Sequence, residues 1–435
     1  MKLIKFSIII IAVAVLAIAG ISTTSYAFHD GGVAYCEGCH TMHNSLQGSA
    51  MTVAGAGGPG NALASNKYLL QGADQSSTCL NCHGKGNTQS SYHISTQSIV
   101  QANNNAAQIP MQETPGGDFS WVKIGYKSTG TTFGDRHGHN IVAVDFGYTV
   151  DATNTKAPGG TTDYLASNLN CISCHDPHSD ARRDSTGAIV HRTLGGTFPS
   201  IMGSGSYGAA ATPGEAVGVY RFLGGNGYKP KSYAAAPAFT AEAPLAVAPS
   251  TYNRTEAVSD THVAYGSGMA QWCANCHTQF LNDNSVGVSG HPHPAGQTLD
   301  ATVVANYNAY VKTGDLSNTG AAYWSLVPIE EGAAATYSSL ASDATNTAGI
   351  GYQAATTSSV VMCLSCHRAH ASGFDSMIRW YNNDSFVTED SAYYTVANGS
   401  APNSIAQAQK AYYDRPASDF AAFQRVLCNK CHAKD

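Results

Sequence analysis

The chain has 435 residues and a formal charge of −6, and only 12% of its residues are charged, against roughly 25% in an average soluble protein. Forty-four glycines and 23 tyrosines take up much of the difference. A weakly acidic surface argues against nucleic acid or an anionic membrane as partner, and a Tyr-rich one with few charges suits packing against other protein.

In chain order, Lys2 and Lys5 precede an apolar run from Phe6 to Ile21, and Ser25-Tyr26-Ala27 offers a small-residue cleavage site. Residues 1–27 therefore read as a Sec-type signal peptide. The alternative, a retained anchor, needs about 20 apolar residues to span a bilayer, and this run is shorter. Removing Lys2 and Lys5 takes the charge from −6 to −8. Residues 28–435 are expected to form one exported domain with no further apolar stretch long enough to span a membrane.

Within that domain, Gly55–Gly60 and Gly203–Gly208 read as loops; neither is followed by the Lys-Ser/Thr of a phosphate loop. Strict alternation of Val142, Val144, Phe146, Tyr148 and Val150 predicts a strand, with Phe119-Ser-Trp121 as its partner. Ser232–Ser250, rich in Ala and Pro, is expected to be an extended wrapping segment. Ala301–Lys312 carries Val303, Val304, Tyr307, Tyr310 and Val311 at helical spacing, and Ala417–His432 reads as a helix delivering the C-terminus.

All twelve cysteines fall into six Cys-x-x-Cys-His motifs: Cys36/Cys39/His40, Cys79/Cys82/His83, Cys171/Cys174/His175, Cys273/Cys276/His277, Cys363/Cys366/His367 and Cys428/Cys431/His432. Two thiols three residues apart can each add to one vinyl group of a haem, and the adjoining histidine then becomes the proximal iron ligand. A disulfide scaffold, zinc knuckles or a thioredoxin-type site would not place His after every second cysteine. The motifs imply six covalently bound haem c groups. Their starts are separated by 43, 92, 102, 90 and 65 residues, so they are not a fixed-period repeat. The expected fold is a multihaem cytochrome: mostly coil, with short α-helices and a few short β-strands wrapped around a chain of six haems.

The sixth ligand decides whether a haem only passes electrons or also binds substrate. Eleven histidines remain beside the six proximal ones. His43, His178 and His370 each stand three residues after a motif histidine. On one helical turn such a residue cannot reach the far side of its own haem, but it can ligate a neighbouring one. His137, His191 and His262 have no such context and read as surface residues. Bis-His ligation throughout makes hydride, oxygen and nitrite chemistry unfavourable. The chain ends three residues after His432, so the sixth haem must draw its distal ligand from upstream or from another copy.

Long runs resemble the filament-forming hexahaem outer-surface cytochromes of metal-reducing bacteria. They include Phe28-His29-Asp-Gly-Gly-Val33 running into the first motif, Ser91-Tyr92-His93-Ile-Ser95, Pro115-Gly-Gly-Asp-Phe119 and Gly138-His139-Asn-Ile141. Further on come Cys174-His175-Asp-Pro-His178, Ala248–Ala257, Trp272–Thr278, His293-Pro-Ala-Gly296, Cys363–Met377 and Leu427–Asp435. The resemblance covers essentially all of residues 28–435. It implies bis-His haems in a serpentine chain, head-to-tail polymerisation and a cell-surface or extracellular location. It also implies that His43 ligates haem 5 of the adjacent copy. The matching runs hold seven distal candidates (His29, His43, His93, His139, His178, His293 and His370) for six positions; His137, His191, His262 and His291 lie outside them. Three functions follow as expectations: an extracellular electron conduit that serves ferric oxides, other cytochromes or partner cells; a monomeric shuttle; or a multihaem reductase.

Overall fold

The computed structural model describes residues 36–40, 45–46, 49–50, 69–84, 92–96, 99, 108–124, 135–160, 164–192, 199–208, 210–230, 233, 235–248, 262–281, 293, 295–309, 324–345, 354–395, 402 and 404–432. The signal-peptide segment, Gly55–Gly60, His29, His43 and His291 lie outside them.

Regular structure is sparse. The described helices are α1 (Cys36–Cys39), α2 (Gln75–His83), α3 (Met269–Cys273), α4 (Ala301–Ala309), α5 (Tyr337–Thr345), α6 (Cys363–Cys366) and α7 (Ile405–Ala411), joined by many single 3₁₀ turns. The strands are β1 (Ser45–Leu46), β2 (Ser49–Ala50), β3 (Ala181–Asp184), β4 (Ile189–His191), β5 (Ser200–Ser204), β6 (Glu215–Gly218), β7 (Leu245–Val247), β8 (Ala264–Ser267), β9 (Thr388–Glu389) and β10 (Ala392–Tyr393). They pair as one four-stranded sheet, β4-β3-β6-β5, and three two-stranded ribbons. This is the mostly coil architecture expected of a chain that carries six haem-binding motifs.

Aromatic residues replace the missing layers. Trp121, Trp324 and Trp380 are buried in the largest cluster. There Tyr393 stacks on Tyr412 at 4.7 Å, and both rings meet Phe420 edge-on; such contacts each add about 1 kcal/mol beyond area burial. A second cluster, around Val219, Tyr220, Tyr265 and Met269, packs against the fourth and fifth motifs through Cys273 and Leu364.

Several local expectations are corrected. Residues 142–150 form no strand. Val144–Phe146 is a 3₁₀ turn closed by Gly147 at φ 69°, and Ala143 bridges Tyr148, so the alternation reflects a tight turn. Phe119–Lys123 is likewise a 3₁₀ turn, capped by Asp118, whose carboxylate accepts from Ser120 N at 2.8 Å. Gly203–Gly208, read as a loop, instead begins within β5 (Ser200–Ser204) and continues as the 3₁₀ turn Gly205–Tyr207.

The helix expected over Ala417–His432 is broken in the middle. Residues 424–426 pair with 385–387 through Val387 N to Gln424 O (2.8 Å) and Val426 N to Ser385 O (3.0 Å). Tertiary pairing overrides local propensity there, and only the turns Ala417–Asp419 and Leu427–Lys430 remain. Helix α4 matches its expectation over the residues described. The described part of the 232–250 segment runs without a helix and ends in β7.

Candidate haem-binding sites

Each motif folds as one helical turn. The motif histidine donates its backbone N–H to the first cysteine's carbonyl at 2.8 Å for His40/Cys36 and 3.0 Å for His175/Cys171, His277/Cys273, His367/Cys363 and His432/Cys428. The second motif lies wholly inside α2. One turn brings both thiols and the imidazole to the same side of the backbone, as two thioethers and one iron bond to a single haem require. All twelve cysteines are free of disulfides.

The proximal rings are aimed. His83 Nδ1 donates to Tyr92 O (2.6 Å), His175 to Arg221 O (2.7 Å), His277 to Pro158 O (2.7 Å) and His367 to Ser376 O (2.8 Å). A carbonyl only accepts, so Nδ1 must carry the proton and Nε2 presents its lone pair. This is the outer hydrogen bond that orients metal-bound histidines. Burial also pushes the proton affinity of all four rings down, which keeps them neutral.

Three distal candidates face a proximal partner. Ring centroids are 6.1 Å apart for His139/His277, 6.3 Å for His370/His175 and 6.0 Å for His293/His432. A metal–imidazole bond of about 2 Å on each side, plus about 1 Å from nitrogen to ring centre, gives roughly 6 Å for two rings sharing one ion. His139 Nδ1 donates to Ala369 O (2.7 Å), which gives it the same tautomer as the proximal rings. Burial, then neighbouring histidines, pushes His139 down to about 4 and His370 to about 3. The donor set, tautomers and spacing therefore fit bis-His haem c.

The sites are ordered. The Cys79 and Cys171 thiols are hydrogen-bonded, as are those of Cys273 and Cys363. Beyond the burial that raises them, Cys39 is raised further by Cys82, Cys174 by Cys276, and Cys366 by Cys428 and Cys431. Motif one thus adjoins two, two adjoins three, and so on to six. First-cysteine contacts alternate with contacts that involve second cysteines.

No family model matches the chain. It is 49% identical over 443 residues to the C-type cytochrome OmcS of Geobacter sulfurreducens, covering 98% of each chain. The chain belongs to the OmcS family of c-type cytochromes. Two solved structures titled as OmcS nanowires and as an Outer Membrane Cytochrome S filament, both from that organism, match its fold. Their TM-scores are 0.79 and 0.80 at 48% and 47% identity, over 94% of this chain and 100% of theirs.

For an OmcS-family chain, the remaining histidines sort as follows. His93 is buried next to Tyr92, the residue whose carbonyl orients His83. His178 is exposed. His137 and His262, expected at the surface, are instead buried, at 1% and 2% exposure. His137 uses Nδ1 on Ser372 O (3.1 Å) and sets Nε2 3.1 Å from Asp375 Oδ1, which ties the 3₁₀ turn before His139 to the segment after His370. His191 lies half-buried on β4 with Nε2 2.8 Å from Glu242. Sequence reasoning missed the seat of His370. Phe119 stacks on its ring at 4.5 Å, and Gly116 lies so close that a Cβ there would meet Nδ1 at 2.7 Å. The only sequence signal is the pair Gly116-Gly117 just before an aromatic residue.

Proposed function

We propose that this chain carries six covalently attached haem c groups and conducts electrons outside the cell as one subunit of a head-to-tail polymer. The carrying observation is the end-to-end order of the six motifs. Haem supplies one-electron chemistry at iron, and protein ligands on both faces confine it to electron transfer rather than substrate turnover. It is an electron-transfer protein, not an enzyme.

Each cysteine pair (Cys36/Cys39, Cys79/Cys82, Cys171/Cys174, Cys273/Cys276, Cys363/Cys366 and Cys428/Cys431) anchors one haem. His40, His83, His175, His277, His367 and His432 are the proximal ligands. His370 completes the third site, His139 the fourth and His293 the sixth. His43 completes the fifth in the next copy, and His29, His93 and His178 supply the first and second, with one to spare.

The chain's own part is to hold those imidazoles neutral and aimed, and to keep successive sites in contact along its length. Other multihaem cytochromes and extracellular acceptors then exchange electrons with the polymer. Among the described residues no helix is long and apolar enough to cross a membrane.

His43→Ala tests the reading. The expected result is loss of filaments, with one high-spin haem per chain by electron paramagnetic resonance. Intact filaments, or a monomer whose haems are all low-spin, would overturn it.

A further inference from the structure

Between the fourth and fifth motifs the chain buries a carboxyl group, Glu330, that meets no cationic side chain among the described residues. Glu330 is the middle of three adjoining extended segments. It bridges Tyr265 on one side and Val360 on the other, with Glu330 N 3.0 Å from Val360 O and Val360 N 2.9 Å from Glu330 O. Each flanking segment runs straight into a motif. Tyr265 lies in β8, which passes through Gly268 into α3 and Cys273. Val360 leads through Met362 into α6 and Cys363.

The Glu330 side chain stays with that junction. The residue is 2% exposed, and Oε1 accepts the backbone N–H of Met269 at 2.6 Å. The N–H of Gly268 is a second donor. The carboxyl therefore caps the helix that delivers Cys273, and its charge is felt by the thiols of both Cys273 and Cys363.

What faces Glu330 leaves it free to respond to haem charge. Cys273 and Cys363 cease to titrate once they are thioethers. Tyr265 packs alongside as a buried ring, and Glu331 follows half-buried. Burial pushes the carboxyl up to about 7, opposed only by the two amide donors. Next to this corner lies a surface cleft of about 640 Å³ lined by Ser267, Gly268 and Gln271, with Arg183 and Glu242 on its wall. Gly268 thus belongs both to the cleft and to the amide pair that binds the carboxylate.

We propose that Glu330 is a redox-linked proton site at the junction of haems 4 and 5, fed from solvent through the cleft at Gly268. A haem held at the fourth or fifth motif would lose one positive charge on accepting one electron from its neighbour in the chain of sites. The Glu330 carboxylate takes one proton from water to become a carboxylic acid, and no covalent bond to the haem changes. When the electron moves on, the proton returns to solvent. Linkage is reciprocal: the electron raises the carboxylate's proton affinity by the same factor as the proton raises the haem's electron affinity. The inference rests on placing haems at the fourth and fifth motifs.

The test compares the full-length haem-loaded protein with Glu330→Gln, which keeps an oxygen for both amides and cannot titrate. Six low-spin haems per chain in the wild type verify the sites by themselves; a smaller number would overturn the haem assignment and this inference with it. Given six, spectroelectrochemical midpoints between about pH 5.5 and 8.5 are expected to fall with pH for the haem 4–5 pair, and to flatten in the variant. Equal slopes in both proteins would overturn the proposal. Reduced-minus-oxidised infrared spectra of the wild type alone give a second readout. A carboxylic-acid band appearing on reduction near neutral pH supports it, and its absence overturns it.

Discussion

The third and fifth motifs are built to the same plan, nearly 200 residues apart in sequence. Both read Cys-x-Ser-Cys-His, and in each the serine hydroxyl accepts the backbone N–H of the residue before the motif, at 3.0 Å for Ser173/Asn170 and 3.1 Å for Ser365/Met362. Both proximal rings donate to a carbonyl on a returning segment with two consecutive left-handed residues: Arg221 and Phe222 (φ 51° and 53°), Ser376 and Met377 (φ 56° and 60°). The flanking bonds match too: Asp176 N to Phe222 O and Gly224 N to Cys174 O in one, Arg368 N to Met377 O and Arg379 N to Cys366 O in the other. Left-handed non-glycine residues cost about 1 kcal/mol or more each, so both sites accept strain to bring a carbonyl to the ring.

The two sites part at the histidine three residues on. His370 is half-buried with its ring stacked on Phe119, facing His175 across the third site, whereas His178 is exposed. Equal spacing thus produces unequal fates. The difference lies in what the fold brings up from elsewhere. The segment 115–119 receives His370, whose backbone N–H is bonded to Gly116 O at 2.7 Å.

That contrast can be broken most directly at His370. His370→Ala is expected to make haem 3 high-spin and to destabilise the protein by about 3 kcal/mol or more, read by paramagnetic resonance and thermal melting. His178→Ala should leave haems 3, 4 and 6 low-spin. Next comes Gly138→Ala, whose Cβ would meet Ala371 Cβ at 2.5 Å and His370 O at 2.6 Å. Because Gly138–Ala371 is the bridge that sets His139 beside His370, one methyl should perturb the resonance spectra of haems 3 and 4 together. The expected destabilisation is about 1–3 kcal/mol.

A smaller effect sharpens the likeness. Ser365→Ala is expected to cost about 1 kcal/mol. Ser173→Ala should cost more, since Ser173 Oγ also accepts from Tyr164 Oη at 2.7 Å; equal melting shifts would dissolve that distinction. The smallest effect is expected at His191, whose Glu242 pair is partly exposed. His191→Ala should change stability by less than about 1 kcal/mol and leave every haem spectrum untouched.

How far the sequence reached is visible in particular residues. Cys-x-x-Cys-His is legible because its chemistry is local: one helical turn serves both thiols and the ring. Of the histidines three residues after a motif, His370 faces the ring of His175, which belongs to a different motif. Nothing local could show that the partner belongs to the third motif rather than an adjacent one. His137 and His262 read as surface residues because burial is a property of what packs over them. The 142–150 alternation misled because a 3₁₀ turn around Gly147 can imitate period two over so short a span.

The sequence by itself determined the number of Cys-x-x-Cys-His motifs, the thiols and imidazoles that each brings together, and a coil-rich chain, all set by local spacing and composition. Only the tertiary structure decided which histidine faces which site, which carbonyls aim the rings, and that the six sites run end to end in chain order. Those relations join residues that are often more than a hundred positions apart, as with His175 and His370 or His139 and His277. Packing and backbone hydrogen bonds bring them together, and no local pattern encodes that encounter.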